Sequence, residues 1–224
     1  MTRPPSRAII AAHLKDGELD LSARLAVFGF FVALLCAGTA RADDQRFDLG
    51  FLKPGMPLAE LRAAAWPPGD RILCGEDTDS VRIEKDSLAQ VASRPWLAGT
   101  GVMACALFEK TKDGVWRLGT IMLGGNPATF WAMVVAPEAG APPVLAEARM
   151  WQSNESFDST VATLTGRLGP AGIANQFSAH WINDSYEVSV AHASGKGIIT
   201  FLIDNRLRTL VTQRMPKPTT DKHP

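Results

Sequence analysis

From Val102 to Gln213 the chain repeats one rhythm: short runs rich in β-branched and aromatic residues, broken by tight clusters of Gly, Asn, Asp and Ser. The runs are Val102–Glu109, Trp116–Leu123, Thr129–Ala136, Leu145–Gln152, Phe177–Ile182, Tyr186–His192, Ile198–Ile203 and Leu207–Gln213, with Val81–Glu84 ahead of them. The separators are Asp113-Gly114, Gly124-Gly125-Asn126-Pro127, Asn183-Asp184-Ser185, Ser194-Gly195-Lys196-Gly197 and Asp204-Asn205-Arg206. Clusters of this kind reverse the chain within a few residues, whereas a parallel crossover needs a dozen or more. The rhythm therefore predicts strands joined as antiparallel hairpins.

Two stretches break the rhythm and read as helices. Pro57 suits a first helical turn, Leu58, Leu61 and Ala65 share one helical face, and Pro67-Pro68-Gly69 stops the run, predicting a short helix from about Pro57 to Ala65. About a hundred residues later Ser156 offers a cap. Phe157, Val161, Leu164 and Leu168 then keep the spacing of one buried stripe, and Gly169-Pro170 ends it. The expected fold class is α+β, with short helices on one face of antiparallel sheet, possible as two tandem helix-then-meander units. These are residues 43–136 and 144–214, with the loop Pro137–Pro143 between them. The polar, Pro-rich tail 215–224 is expected to be disordered.

The phrase Lys53-Pro54-Gly55-Met56-Pro57-Leu58-Ala59-Glu60-Leu61 resembles the opening of the SmpA/OmlA-type outer-membrane-assembly lipoproteins, where a Gly-Met phrase starts a helix leading into antiparallel sheet. The tandem helix-plus-sheet order is similar to that of β-lactamase inhibitor proteins. These resemblances imply an envelope location and protein binding without enzyme activity.

The N-terminal region gives the address. Arg24 precedes the apolar run of Leu25–Ala42, which closes on the small-x-small site Ala40-Arg41-Ala42. The run falls short of the ~20 residues that a transmembrane helix needs, so a cleaved export signal is expected over 1–42, with no integral span after cleavage. The region before Leu25 is long for a leader and carries Asp16, Glu18 and Asp20. Cys36 follows Leu35, where a lipid-attachment box generally has Gly, Ala or Ser. The predicted product is periplasmic or secreted and bacterial. In that oxidising setting its two cysteines, Cys74 and Cys105, are expected to form a disulfide. From Asp43 onward 18 basic residues face 20 acidic ones, which argues against nucleic acid as a partner.

The motifs that resemble chemical sites are incomplete. Asp77-Thr78-Asp79 opens like a calcium loop, but Val81 stands at the third ligand position and the required Gly is missing. Ser194-Gly195-Lys196-Gly197 lacks the upstream Gly and the following Ser or Thr of a phosphate loop, and a hairpin turn explains it. His180 and His192 fall on two strands expected to be neighbours, which leaves open a small envelope hydrolase or metal-dependent enzyme. A third ligand at recognisable spacing is missing, and His223 lies in the tail. No catalytic residue, metal ligand or cofactor is assigned.

Tryptophan is the compositional anomaly: six, all after Asp43, against a single Tyr. Indoles fill cores, but they also anchor interfaces and stack on sugars. Trp96, Trp131 and Trp151 are the candidate interaction residues. The functional expectation is a non-catalytic envelope accessory protein that binds a protein partner with an exposed sheet face, inhibitor-like in one version. A binder of hydrophobic or glycan ligands through exposed Trp is the further alternative. Partner and oligomeric state are not legible in the sequence.

Overall fold

The computed structural model describes residues 47–91, 97, 99–193 and 197–215. The expected export signal with Cys36, Trp96, the first three residues of the Ser194–Gly197 turn, and residues 216–224 with His223 lie outside the described residues. Among the described residues, no helix is long and apolar enough to cross a membrane.

The strands are β1 (Arg71–Cys74), β2 (Val102–Lys110), β3 (Trp116–Leu118), β4 (Thr120–Leu123), β5 (Asn126–Val135), β6 (Val144–Ser153), β7 (Ile173–Ala174), β8 (Ser178–Ile182), β9 (Tyr186–Ala193) and β10 (Gly197–Asp204). They form one antiparallel sheet in the order β1-β2-β5-β6-β10-β9-β8-β7. β3 pairs the end of β2 and β4 pairs the start of β5. With short helices added, the class is α+β. The two expected units, 43–136 and 144–214, meet edge to edge at β5 and β6, whose pairing runs from Thr129↔Trp151 to Val135↔Val144, so their strands share one continuous sheet.

The helices are α1 (Leu58–Ala63), α2 (Lys85–Val91), α3 (Phe157–Leu168) and α4 (Asn205–Arg214). α3 has the predicted bounds. Leu164 and Leu168 are fully buried, while Phe157 and Val161 lie half-buried against the same core. Its stop is Gly169, whose φ of 82° suits a residue without a Cβ, and whose N–H donates to the Thr165 carbonyl. Ser156 does not cap it, because the Ser156 side chain is buried and lies 3.3 Å from the Ser153 hydroxyl. The helix start is held instead by a buried relay. Thr160 donates to Gln152 Oε1, and Gln152 Nε2 donates to the Leu123 carbonyl of the β4–β5 turn. α1 buries Leu58 and Leu61, and the Trp66 indole donates to the Leu61 carbonyl at 2.7 Å, satisfying one of the acceptors a helix end leaves free. Ala65 falls outside α1 and is exposed. The Gly55-Met56 phrase docks this helix on the sheet through two backbone bonds with Leu145.

Three expectations are corrected, the first being that the helices share one face of the sheet: α1 and α3 pack on one face and α4 on the other. Leu207–Gln213 is helical rather than a strand. Asp204 accepts from the Leu207 N–H as an N-cap, and Leu207 and Val211 are buried on one face of α4. Val81–Glu84 makes only an isolated bridge, Ile83↔Trp116. The strand in that region is β1, directly paired with β2.

The sheet separates two apolar layers. One face carries the main core: Leu107, Phe130, Ala148, Met150, Val188, Val190, Ile198 and Leu202, closed by Leu58, Leu61, Leu164 and Leu168 of α1 and α3. The other face is covered only in part. At one end Leu207 and Val211 of α4 pack on Val102, Val135 and Ala146. A second cluster of Leu73, Ala106, Phe108 and Trp116 lies under Val81 and Ile83. Between these two covers the described residues leave the sheet open.

Candidate interaction face

Cross-strand register fixes what the open face presents. One row of directly opposed residues runs Ala106, Trp131, Arg149, Phe201, Ser189, His180, Ile173 across seven strands. The next row runs Thr129, Trp151, Ile199, Ala191, Ser178. The row on the other side, Met133, Glu147, Ile203, Glu187, Ile182, passes toward α4. Ala146 is an extra residue on β6 where the β5–β6 register shifts between Met133 and Val134. Such a bulge re-aims its neighbours, and here Ala146 packs in the cluster beneath α4.

The centre of this face is aromatic and cationic. Trp151 is 38% exposed, and Trp131, Ile199 and Phe201 are half-buried. The Arg149 guanidinium lies 5.6 Å from the centre of the Phe201 ring, and its Nε donates to Glu147 Oε1. Glu147 is only 6% exposed, a burial that a carboxylate tolerates when paired. Arg208 of α4 stands farther off, 3.9 Å from Glu147 and 4.0 Å from Glu187. Gly197 is required at the rim: a Cβ there would come within 2.6 Å of both the Trp151 indole nitrogen and the Gln152 carbonyl. The Trp131 indole N–H is buried without a partner among the described residues, a shortfall of about 1–3 kcal/mol for a buried donor.

Trp131 and Trp151 thus lie on one face, two rows of one surface, while Trp96 falls outside the described residues. Trp116 and Trp181 are core residues, the latter donating to the Gly169 carbonyl. Arg149, Ile199 and Phe201 were not singled out in the sequence. The signal was the alternation in β6, where Glu147, Arg149 and Trp151 interleave with buried Ala148 and Met150.

The cysteines are joined as expected. Cys74 and Cys105 are direct cross-strand partners with Cα atoms 4.0 Å apart, and both are buried on the core side. The histidines do not come together. His180 pairs with Ser189 on the open face and lies 3.7 Å from Glu187, whereas His192 alternates to the opposite face. There it stacks on Phe157 at 4.8 Å and contacts Asn154. The sheet separates them, so a hydrolytic or metal site centred on both is not formed. No three His, Cys, Asp or Glu converge among the described residues. A hollow of about 250 Å³ beside α1 is bordered by Phe51, Leu52 and the Lys53–Glu60 ion pair. A wider one holds Glu138 and Arg214, whose terminal nitrogens are taken by the Ala136 and Pro137 carbonyls.

Comparison with protein-family models, with curated proteins and with solved structures gives no match.

Proposed function

We propose that this chain is an exported envelope accessory protein that acts without catalysis, by binding another protein through the open face of its sheet. The observation that carries the reading is the cluster of Trp131, Arg149, Trp151, Ile199 and Phe201 at the uncovered centre of that face. Trp and Arg are the residues that most often dominate binding energy at interfaces, and a flat sheet face offers them on a rigid support. An inhibitor-like mode, in which this face covers a partner's working surface, is one form of the same function. The export assignment rests on the leader, and the Cys74–Cys105 bridge supports it because such bonds persist in oxidising compartments.

A photo-crosslinking phenylalanine analogue in place of Ile199, expressed in the native host, tests both parts. The expected result is a discrete protein adduct in the envelope fraction, on a chain whose N-terminus is at or near Asp43. The same analogue at Met122, exposed on β4, should give none. Equal adducts at both positions, none at Ile199, or an uncleaved chain retained in the cytoplasm would overturn the proposal.

A further inference from the structure

The geometry points to Arg149 as an anchor for a carboxylate, and so to an acidic segment with apolar flanks as the part of a partner protein that this face receives. This inference rests on the interaction reading above and adds the chemistry of the occupant. Three features of Arg149 carry it. Its Nε is held by Glu147 and its guanidinium carbon lies 5.6 Å from the centre of the Phe201 ring, so the side chain is held in place before anything binds. Its two terminal nitrogens have no hydrogen-bond partner among the described residues, leaving the forked edge that pairs with a carboxylate through two parallel bonds. Its cross-strand neighbours are Trp131 and Phe201, and Trp151 follows two residues along on the same face, so apolar surface borders the guanidinium on the sides away from Glu147.

The charges on this face are layered by depth. The guanidinium side chains of Arg149 and Arg208 are 46% and 50% exposed, while the carboxylates that balance them, Glu147 and Glu187, are 7% and 23% exposed. An approaching surface meets cations and aromatic rings first, and the carboxylates lie beneath. Two copies of this chain pressed face to face would bring like charges together, which disfavours a symmetric dimer. An acidic residue flanked by aliphatic or aromatic ones satisfies both parts of the face at once. A partner carboxylate paired there loses water on a partly apolar floor, where a bidentate bond counts for more than on an open surface.

The test is selection from a displayed library of random twelve-residue peptides on the immobilised full chain. The expected winners carry Asp or Glu beside aliphatic or aromatic residues. Their binding should weaken at least tenfold when that residue is changed to Asn or Gln in the peptide, a change that leaves the protein untouched. Arg149→Gln should cause a similar loss and Arg149→Lys a smaller one, since charge is kept while the fork is lost. Arg117→Gln, on the exposed edge of β3, should cause no loss. Winners without an acidic residue, or binding indifferent to both Arg149 variants, would overturn the carboxylate anchor. If those same winners still lose binding in Trp151→Ala, the face remains a protein-binding surface; if they do not, both readings fall. Sedimentation of the wild-type chain with phosphatidylglycerol vesicles that Arg149→Gln abolishes, or a dimer in light scattering that it dissociates, would also overturn the proposal, in favour of a membrane or a second copy.

Discussion

Leu164→Ala tests the packing of α3 on the sheet. Leu164 has no exposed surface and lies in the main core with Trp181, Val188 and Val190. Truncation removes three carbons, a transfer loss of about 2.4 kcal/mol at ~0.8 per methylene. The cavity adds to this only if its walls cannot close, and here they are tied. One turn before, Thr160 is bonded to Gln152, and Gly124 packs so closely on α3 that a Cβ there would meet the Thr160 nitrogen at 2.8 Å. One turn after, Arg167 donates to the Leu49 carbonyl at 2.5 Å. With both flanks fixed and a hydrogen-bonded sheet opposite, the loss should fall in the upper part of the usual span, roughly 3–5 kcal/mol. For a domain of this size that lowers Tm by roughly 6–20 °C. Urea unfolding with the disulfide intact, followed by tryptophan fluorescence, reads the change through Trp181, whose indole is bonded at the end of α3. Thr163→Ala, half-buried beside it, should stay within about 0.5 kcal/mol or gain slightly from helix propensity. A loss below ~1.5 kcal/mol for Leu164→Ala, or equal losses at both positions, would refute the packing argument.

Two further outcomes follow from the same structure. Replacing both Cys74 and Cys105 by Ala should cost roughly 3–4 kcal/mol on the chain-entropy account of a loop with sequence separation 31, measured as a lower urea midpoint; free thiols titrating in the denatured native protein would remove the premise. Burial, and then the neighbouring Glu109 carboxylate, raise the Asp70 pKa above its ordinary 3.8. The folded state therefore holds that proton more tightly than the unfolded chain, so this group's contribution is present below the unfolded pKa and lost as pH rises through the folded one. Asp70→Asn should thus flatten the fall in stability with rising pH across that acidic window, and an unchanged pH profile of the urea midpoint would contradict it.

What was legible in the sequence is a matter of which signals had one meaning. The stripe of Phe157, Val161, Leu164 and Leu168, stopped by Gly169-Pro170, admits only a helix, and α3 has the expected limits. Asp204-Asn205-Arg206 had two meanings, since Asp and Asn both make turns and cap helices. Beyond it, Leu207, Leu210 and Val211 carried helical spacing within a run that also suited a strand, and the cap decided. β1 escaped because four residues between a Pro-Pro-Gly stop and an acidic loop show too little alternation. The face was half legible. Trp131 and Trp151 stood out as residues, but that they share a surface with Arg149 and Phe201 depends on register, which long-range pairing sets.

The β6–β10 pairing has a consequence for how the polypeptide matures. As the chain emerges from its N-terminus, β6 gains β5 at once, yet its other edge waits for a strand that begins at Gly197. β9 and β8 can form a hairpin in the meantime, but β9 also lacks a neighbour until β10 arrives. A fragment ending before Gly197 therefore carries two unpaired strand edges, the kind that template misassembly. β10 closes the seam on both sides, and Asp204, at its end, begins α4, which covers the apolar ground around Val135 and Ala146. The strand and helix from Gly197 to Arg214 thus act as a latch, and premature termination or proteolytic trimming behind β9 should yield an aggregating species rather than a smaller folded one.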